Sequence, residues 1–432
     1  MVMDRRLNGT LSRVTAWTLL AVFGSAALAE EWPTFRGAKR TAISSETGLL
    51  QQWPAEGPKL VWAAPGAGRG YASPAIADGK AFTLGDAPST AADENEYLSC
   101  FDLSTGKQLW KTMTGEPWNR HRAESWNGSR ATPTVDGDRV YVVTPFGLLL
   151  CASTQDGSVL WKKELKDGMS GKKKDSWGYS EAPLIDGEKL ICTPGGELNT
   201  VVALNKQTGD LIWSCAREGD VGAGHSCVVV SMVNGRKVYV QNTGGGPMGI
   251  DPETGDLLWT YDMSPPTAFI PTPIVKGNYV YSVAGYGLGA ALLEQVADGS
   301  GVTVQEIYGP KSELANKHGG VIEVDGKIYG GQEDRNVVVC ADMMTGEIVW
   351  KERGSGSRSA SVAAADGKLY VRYQDGTMTL VDLSPDGFSE ISAFKTPSSG
   401  DGDKPSWAHP VISGGKLYLR ENDTILCYDI SK

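Results

Sequence analysis

Five segments of this chain carry the same punctuated unit, and that unit limits the possible folds more than any other feature. Asp102-Leu-Ser-Thr105-Gly106 leads four residues on to Trp110, Asp251-Pro-Glu-Thr254-Gly255 to Trp259, and Asp342-Met-Met-Thr345-Gly346 to Trp350. Asn205-Lys-Gln-Thr208-Gly209 leads to Trp213, and Ser153-Thr-Gln-Asp156-Gly157 to Trp161. A unit of this length cannot bury its apolar face alone, so it must stack against copies of itself.

A second signal precedes each tetrad. An apolar run, usually with a Pro, is followed by Asp-Gly or a variant and then by another apolar-aromatic run. The turns end at Gly79, Gly137, Gly187, Gly235, Gly277, Gly326, Gly367 and Gly415, spaced 58, 50, 48, 42, 49, 41 and 48 residues apart. Asp-Gly between strand-like runs marks a hairpin. Each unit therefore reads as two hairpins, or four strands. In the tetrad the Asp or Asn accepts backbone N–H groups across the turn, and Gly takes the positive φ. Those carboxylates read as structural, not catalytic.

Fourth strands end near Trp62, Trp110, Trp161, Trp213, Trp259, Tyr308, Trp350 and Phe394. Trp62 precedes the first hairpin pair, while the last pair ends at Cys427-Tyr428-Asp429 with no fourth strand after it. The strand around Lys59–Trp62 is expected to fill that vacancy. The expected fold is all-β: an eight-bladed β-propeller of four-stranded antiparallel blades, closed by pairing of an N-terminal strand with the C-terminal strands. Trp110, Trp161, Trp213, Trp259 and Trp350 are assigned to blade-to-blade packing, each burying on the order of 200 Å².

Arg5, Arg6 and Arg13, an apolar stretch from Val14, and Ala27-Leu28-Ala29 read as a secretory signal, residues 1–29, with cleavage near Ala29. Residues 30–58 form an N-terminal extension and 59–432 the propeller. The expected location is periplasmic or secreted. Loss of 1–29 removes three Arg and one Asp and moves the formal charge from −10 to −12. An acidic surface disfavours nonspecific nucleic-acid binding and anionic membranes. Cys100, Cys151, Cys340 and Cys427 fall two residues before the tetrad, where other units carry Ala203 and Gly249; they read as small core residues. Cys215 and Cys227 flank a loop and are candidates for a disulfide; Cys192 is unassigned.

The tetrads match the tryptophan-docking repeat A-x-D-x-x-T-G-K-x-x-W, best at Asp102, Thr105, Gly106, Lys107 and Trp110. From Trp32 to Lys432 the chain resembles the pyrroloquinoline quinone (PQQ)-type propellers. One branch, the quinoprotein dehydrogenases, holds PQQ and Ca²⁺ on the propeller axis. The other is noncatalytic and is typified by the outer-membrane assembly factor BamB. The opening Trp32-Pro33-Thr34-Phe35-Arg36-Gly37 resembles the start of exported propellers with PQQ-like repeats. The vicinal Cys-Cys of the familiar dehydrogenases has no counterpart here. Nor does the lipid-bearing Cys of BamB-type lipoproteins, so no direct membrane anchor is expected.

Asp-Gly and Thr-Gly turns must share one face of the disk. The other face carries connections that vary in length, including 86–96, 114–129 and 162–178, and variable loops on a rigid scaffold carry recognition. Segments entering the innermost strands are expected to gather Arg69, Tyr71, Trp126, Asn127, Arg130, Trp177, Tyr179, Glu181, His225, Phe269, His318, Arg358, Trp407 and His409 at a central funnel. Such a set suits a planar anion that stacks on Trp and pairs with Arg. It equally suits aromatics packed on neighbouring loops above a wet channel. Asp93-Glu94-Asn95-Glu96 and Lys172-Lys173-Lys174 read as solvated loops, and no nucleophilic Ser or Cys/His pairing is recognisable. No metal site is expected from the four His, which lack zinc spacing. The expected function is a noncatalytic binding scaffold, with a protein partner or small ligand on the variable face. The alternative is a PQQ- and Ca²⁺-dependent oxidoreductase with Glu181 as base. A hydrolase or lyase using His225, His318 or His409 is a third class.

Overall fold

A computed structural model of the chain describes residues 1–2, 30–86, 95–118, 127–299, 301–397 and 405–432. Its strands form eight four-stranded antiparallel sheets. Blade 1 comprises Ala75–Ala77, Lys80–Asp86, Glu96–Asp102 and Gln108–Gly115. Blade 8 takes three strands from the C-terminus, Val411–Ser413, Lys416–Glu421 and Thr424–Asp429, and its outer strand, Lys59–Pro65, from the other end of the chain. Leu60 pairs with Tyr428 and Trp62 with Cys427, which seals the ring as the repeat count requires. The signal segment lies outside the described residues, as do Asp93, Glu94 and Trp126.

The repeat motif makes the contact between blades. Trp213 in blade 3 (Leu184–Asp186 through Leu211–Cys215) donates its Nε1 hydrogen to the Pro252 carbonyl in the blade 4 turn, at 3.0 Å. Trp62 reaches Leu103 O at 3.1 Å, Trp161 reaches Lys206 O at 3.1 Å, and Trp350 reaches Ser384 O at 3.0 Å. Trp110 reaches Thr154 O at 3.4 Å, and Tyr308 serves blade 5 in the same way with its hydroxyl on Met343 O at 2.9 Å. The turn is held by its Asp: Asp102 Oδ1 accepts the Thr105 amide at 2.9 Å and the Thr105 hydroxyl at 2.7 Å. Hydrogen bonds from Ser104 and Thr105 lower the Asp102 pKa, as a structural carboxylate requires.

The tetrad Gly answers two demands at once. Gly255 has φ +79°, and a Cβ there would stand 2.7 Å from the Trp213 ring. The residue opposite each Trp on the neighbouring strand is small for the same steric reason. Cys100 pairs with Trp110, Cys151 with Trp161, Ala203 with Trp213, Gly249 with Trp259 and Cys340 with Trp350. A β-bulge precedes each of these Trp residues, leaving Ile212 unpaired between Leu211 and Trp213. The bulge turns the indole toward the next blade and its predecessor toward solvent, where Leu109, Leu160, Ile212 and Val349 are exposed. Blade 5 has no tetrad; its outer strands Gly289–Asp298 and Gly301–Lys311 are long. Trp259 of blade 4 therefore has no tetrad to dock on, and among the described residues its Nε1 has no hydrogen-bond partner. All seven cysteines are buried thiols, so Cys215 and Cys227 are not bonded to each other. Cys215 instead packs in the core between blades 3 and 4, beside Trp213 and Tyr239.

Residues 30–58 are more than an extension. They strap across the Asp-Gly face and send two arginines into the axis. Glu31 accepts the Asp78 amide of the blade 1 turn, the Leu49 amide meets Asp366 of blade 7, and Glu46 takes the Gly414 and Gly415 amides of blade 8. Arg40 donates to Ala182 O (2.9 Å) and Pro183 O (2.5 Å), and Arg36 to Val321 O (2.5 Å), at the innermost strands of blades 3 and 6. The strap divides the axial channel into a cavity of 270 Å³ beside Arg40 and one of 280 Å³ above Phe35 and Arg36.

Two glycine substitutions separate the docking term from the backbone term. Gly277 has φ +57° with nothing within 4 Å of a Cβ. Gly277→Ala is expected to cost about 1 kcal/mol of backbone strain. Gly255→Ala adds about 1–3 kcal/mol of overpacking against Trp213. The check is the urea midpoint of each variant; equal midpoints would remove docking as the second demand on this Gly.

Candidate functional site

The 280 Å³ cavity opens on the face opposite the short turns, and a simple register builds its wall. Tyr71, Arg130, Ser180, His225, Ile270 and Trp407 each stand four residues ahead of the first strand of blades 1 to 5 and 8, and His318 stands three ahead in blade 6. All seven line the cavity. Residues two ahead of the strand return to the same side, which adds Thr132, Thr272 and His409. Trp177, Tyr286 and Lys317 come from the connections, and Phe35 and Arg36 from the strap form the floor.

The wall is aromatic and cationic. Arg130 lies over the Tyr71 ring at 5.1 Å and the Trp177 ring at 5.8 Å. His318 stacks on Trp407 with centroids 4.2 Å apart, and Trp407 leans on Tyr71 at 5.0 Å. Lys317 sits over Tyr286 at 4.8 Å and pairs with Asp334 at 2.7 Å. Burial brings the Arg36 guanidinium down to about 10, which leaves it charged, and among the described residues its Nη1 has no hydrogen-bond partner. Burial and the nearby Arg36 bring His409 down to about 3; its Nε2 meets His318 O at 3.0 Å, while Nδ1 has no partner among the described residues. None of the described lining residues carries a carboxylate.

One polar chain stands in this wall. Ser180 Oγ lies 2.6 Å from His225 Nδ1, and His225 Nε2 lies 3.1 Å from Asp175 Oδ2. Asp175 is fixed by the Trp177 amide on its Oδ1 at 2.9 Å. Lys173 is not a solvated lysine: it is buried, donates to Gly224 O at 2.6 Å and lies 3.9 Å from Asp175. Burial lowers its pKa to about 8.

With this geometry in place, the known relatives become informative. The sequence profile of the outer membrane protein assembly factor BamB family matches residues 94–352 and 313–388, well over half of the sequence. The chain belongs to this family. It is 24% identical to BamB of Burkholderia pseudomallei over 87% of this chain and 89% of that one. The match to BamB of Shewanella oneidensis, also 24% identical, takes in 54% of this chain and 60% of the relative. Among solved structures, BamB from Moraxella catarrhalis superposes with a TM-score of 0.58 at 16% identity, covering 86% of this chain and 97% of that chain. A europium-containing methanol dehydrogenase superposes with a TM-score of 0.65 at 12% identity, covering 92% and 90%, and shares the fold.

Of the residues expected at the funnel, Tyr71, Arg130, Trp177, His225, His318, Trp407 and His409 meet in the cavity. Glu181 does not. It stands three residues ahead of its strand, on the opposite side of the extended chain, where it is buried and accepts from Thr193 and Gln241. Burial raises its carboxyl to about 7. Tyr179 and Phe269, five ahead of their strands, also point away; the Tyr179 hydroxyl binds Pro194 O. Arg69 is buried 3.7 Å from Asp86, Asn127 lies outside the lining, and Arg358 is exposed. Glu96, expected in a solvated acidic loop, is buried in a strand. Its Oε2 and Asp86 Oδ1 lie 2.6 and 2.9 Å from the one Ser129 hydroxyl. A hydroxyl has one proton to give, so one carboxyl is itself protonated. Burial and then Asp86 push Glu96 up to about 8, which assigns it the proton.

The donor set also tests the cofactor of the dehydrogenase branch. Ca²⁺ takes six to eight oxygen ligands, rich in carboxylate. Here the described wall offers cations and imidazoles, and no group of three His, Cys, Asp or Glu among the described residues could share an ion. The described lining does not fit the Ca²⁺ of that branch, and Glu181, the expected base, is sealed behind the wall.

A neutral His409 has a pH signature. Its folded pKa lies below the unfolded value near 6.5, so the unfolded chain takes up the proton first and stability falls as pH drops from 6.5 toward 3. His409→Gln is expected to flatten this limb by about 1.4 kcal/mol per pH unit between pH 6 and 4. Urea midpoints of both proteins across that range provide the check.

Proposed function

We propose that the chain is a periplasmic binding scaffold that recruits a protein partner through its variable loop face. Cleavage near Ala29 would release residues 30–432 to the envelope. The observation that carries the reading is the asymmetry of the disk. The strap and the short turns close one face around the axis, while the other keeps the open cavity and the long connections. The assembly-factor relatives support a protein as partner, of the kind that serves outer-membrane protein assembly. The formal charge of −12 on residues 30–432 favours a partner with a basic or neutral contact surface and disfavours nucleic acid.

The two faces can be told apart by paired substitutions. Leu198, in the connection between Lys189–Cys192 and Val201–Asn205, is 69% exposed on the loop face. Met344 sits in the blade 6 tetrad on the opposite face and is 41% exposed. In cross-linking pull-downs from an envelope extract, Leu198→Glu is expected to lose captured protein at least tenfold while Met344→Glu retains it. The reverse pattern would place the partner on the strap side.

A further inference from the structure

We propose that Ser180 is an acyl-accepting nucleophile, with His225 as its base and Asp175 as the positioning residue, and that the axial cavity cleaves small esters bearing a negative charge. This goes beyond the scaffold role, which depends on the outer loops and not on the wall of the cavity.

The geometry supplies the parts such chemistry needs in the order it needs them. Nucleophile and base are in hydrogen-bond contact at 2.6 Å, and base and carboxylate lie at ion-pair distance, 3.1 Å, without hydrogen-bond alignment. Proton positions follow from the neighbours. Burial alone would raise the Asp175 carboxyl, but His225 and Lys173 outweigh it and hold it well below the usual range. An ionised Asp175 3.1 Å from Nε2 favours the hydrogen on that nitrogen, and that tautomer leaves the Nδ1 lone pair to the Ser180 hydroxyl. Burial and then Lys173 lower the His225 pKa, so the base form is the one present at neutral pH. The ring is held by the His225 amide on Phe269 O at 2.7 Å.

Access and specificity come from the same wall. Ser180 and His225 both line the 280 Å³ cavity, whereas Asp175 lies behind them. Arg130 is the neighbour of Ser180 in the ring of entry residues, and its charge acts on Asp175 and His225. With Arg36 on the floor and no described carboxylate in the lining, a negatively charged ester is favoured over a neutral or cationic one. In the reaction, Ser180 Oγ bonds to the ester carbonyl carbon and its proton passes to His225 Nδ1. The C–O bond to the alcohol breaks, and the leaving oxygen takes that proton. Water then adds to the acyl-serine by the same relay, releasing the acid and restoring Ser180. No oxidant or metal is consumed.

The test is covalent labelling of the full mature chain with an alkyl fluorophosphonate, read by intact mass and peptide mapping. One adduct on Ser180 is expected. Ser180→Ala should take none, and His225→Gln should slow labelling at least 100-fold. Asp175→Asn should slow it at every pH from 6 to 9, whereas the wild-type rate stays level down past pH 6.5. Unchanged near-ultraviolet circular dichroism confirms that the variants are folded. In turnover assays 4-nitrophenyl hemisuccinate should be preferred over 4-nitrophenyl acetate, and Arg130→Met should erase the preference. A folded wild type without an adduct at Ser180, or equal labelling rates in the wild type and His225→Gln, overturns the proposal.

Discussion

Five of the eight blades are tied to the next by one indole laid on one turn, and blade 5 by the Tyr308 phenol. The Trp213 ring covers Gly255 and its N–H caps the Pro252 carbonyl. The same ring-on-glycine contact recurs at Trp62 on Gly106, Trp110 on Gly157, Trp161 on Gly209 and Tyr308 on Gly346. It couples a buried aromatic surface to a satisfied polar group, so a blade that slips in register loses both at once. Everything at the centre depends on this peripheral spacing. The entry residues meet around one axis because the blades are held at a fixed angle from outside.

Much of this was legible in the chain because it recurs. The eight Asp-Gly-type turns give the number of blades, and the vacancy after Tyr428 gives the closure with Leu60. The small residue before each tetrad gives the strand facing its Trp. The centre was only half legible. Glu181 and Ser180 are adjacent in sequence, and composition favours the carboxylate; the two-residue alternation of an extended chain turns Ser180 to the cavity and Glu181 to the core. Had the register been counted from Arg130 and His225, it would have selected Ser180 and Ile270. Phe35, Arg36 and Asp175 carry no repeat signal at all. The strap reaches the axis by long-range contacts, such as Arg36 on Val321, that no periodic pattern encodes.

The strap also explains how a ring with an open middle can bury charge. Arg36 and Arg40 are held by main-chain carbonyls, which are acceptors in place whatever the neighbouring side chains are. Fixed cations at the floor then set the character of the cavity above them. That character, together with neutral imidazoles at His318 and His409, separates this centre from a calcium-bearing one on a similar scaffold. Shared blades thus leave the chemistry of the axis free to diverge.

The pairing of Lys59–Pro65 with Thr424–Asp429 has a consequence for how the molecule comes into being. A ribosome delivers the amino end first, so this strand and the strap before it have no partners until some 360 residues later. Individual hairpins can form as they emerge, but the circle cannot lock before the last strand arrives. For most of its synthesis the chain is an arc with two unsatisfied ends. An arc of that kind is suited to being held unfolded and threaded through a pore, and it acquires its stability in a single late step.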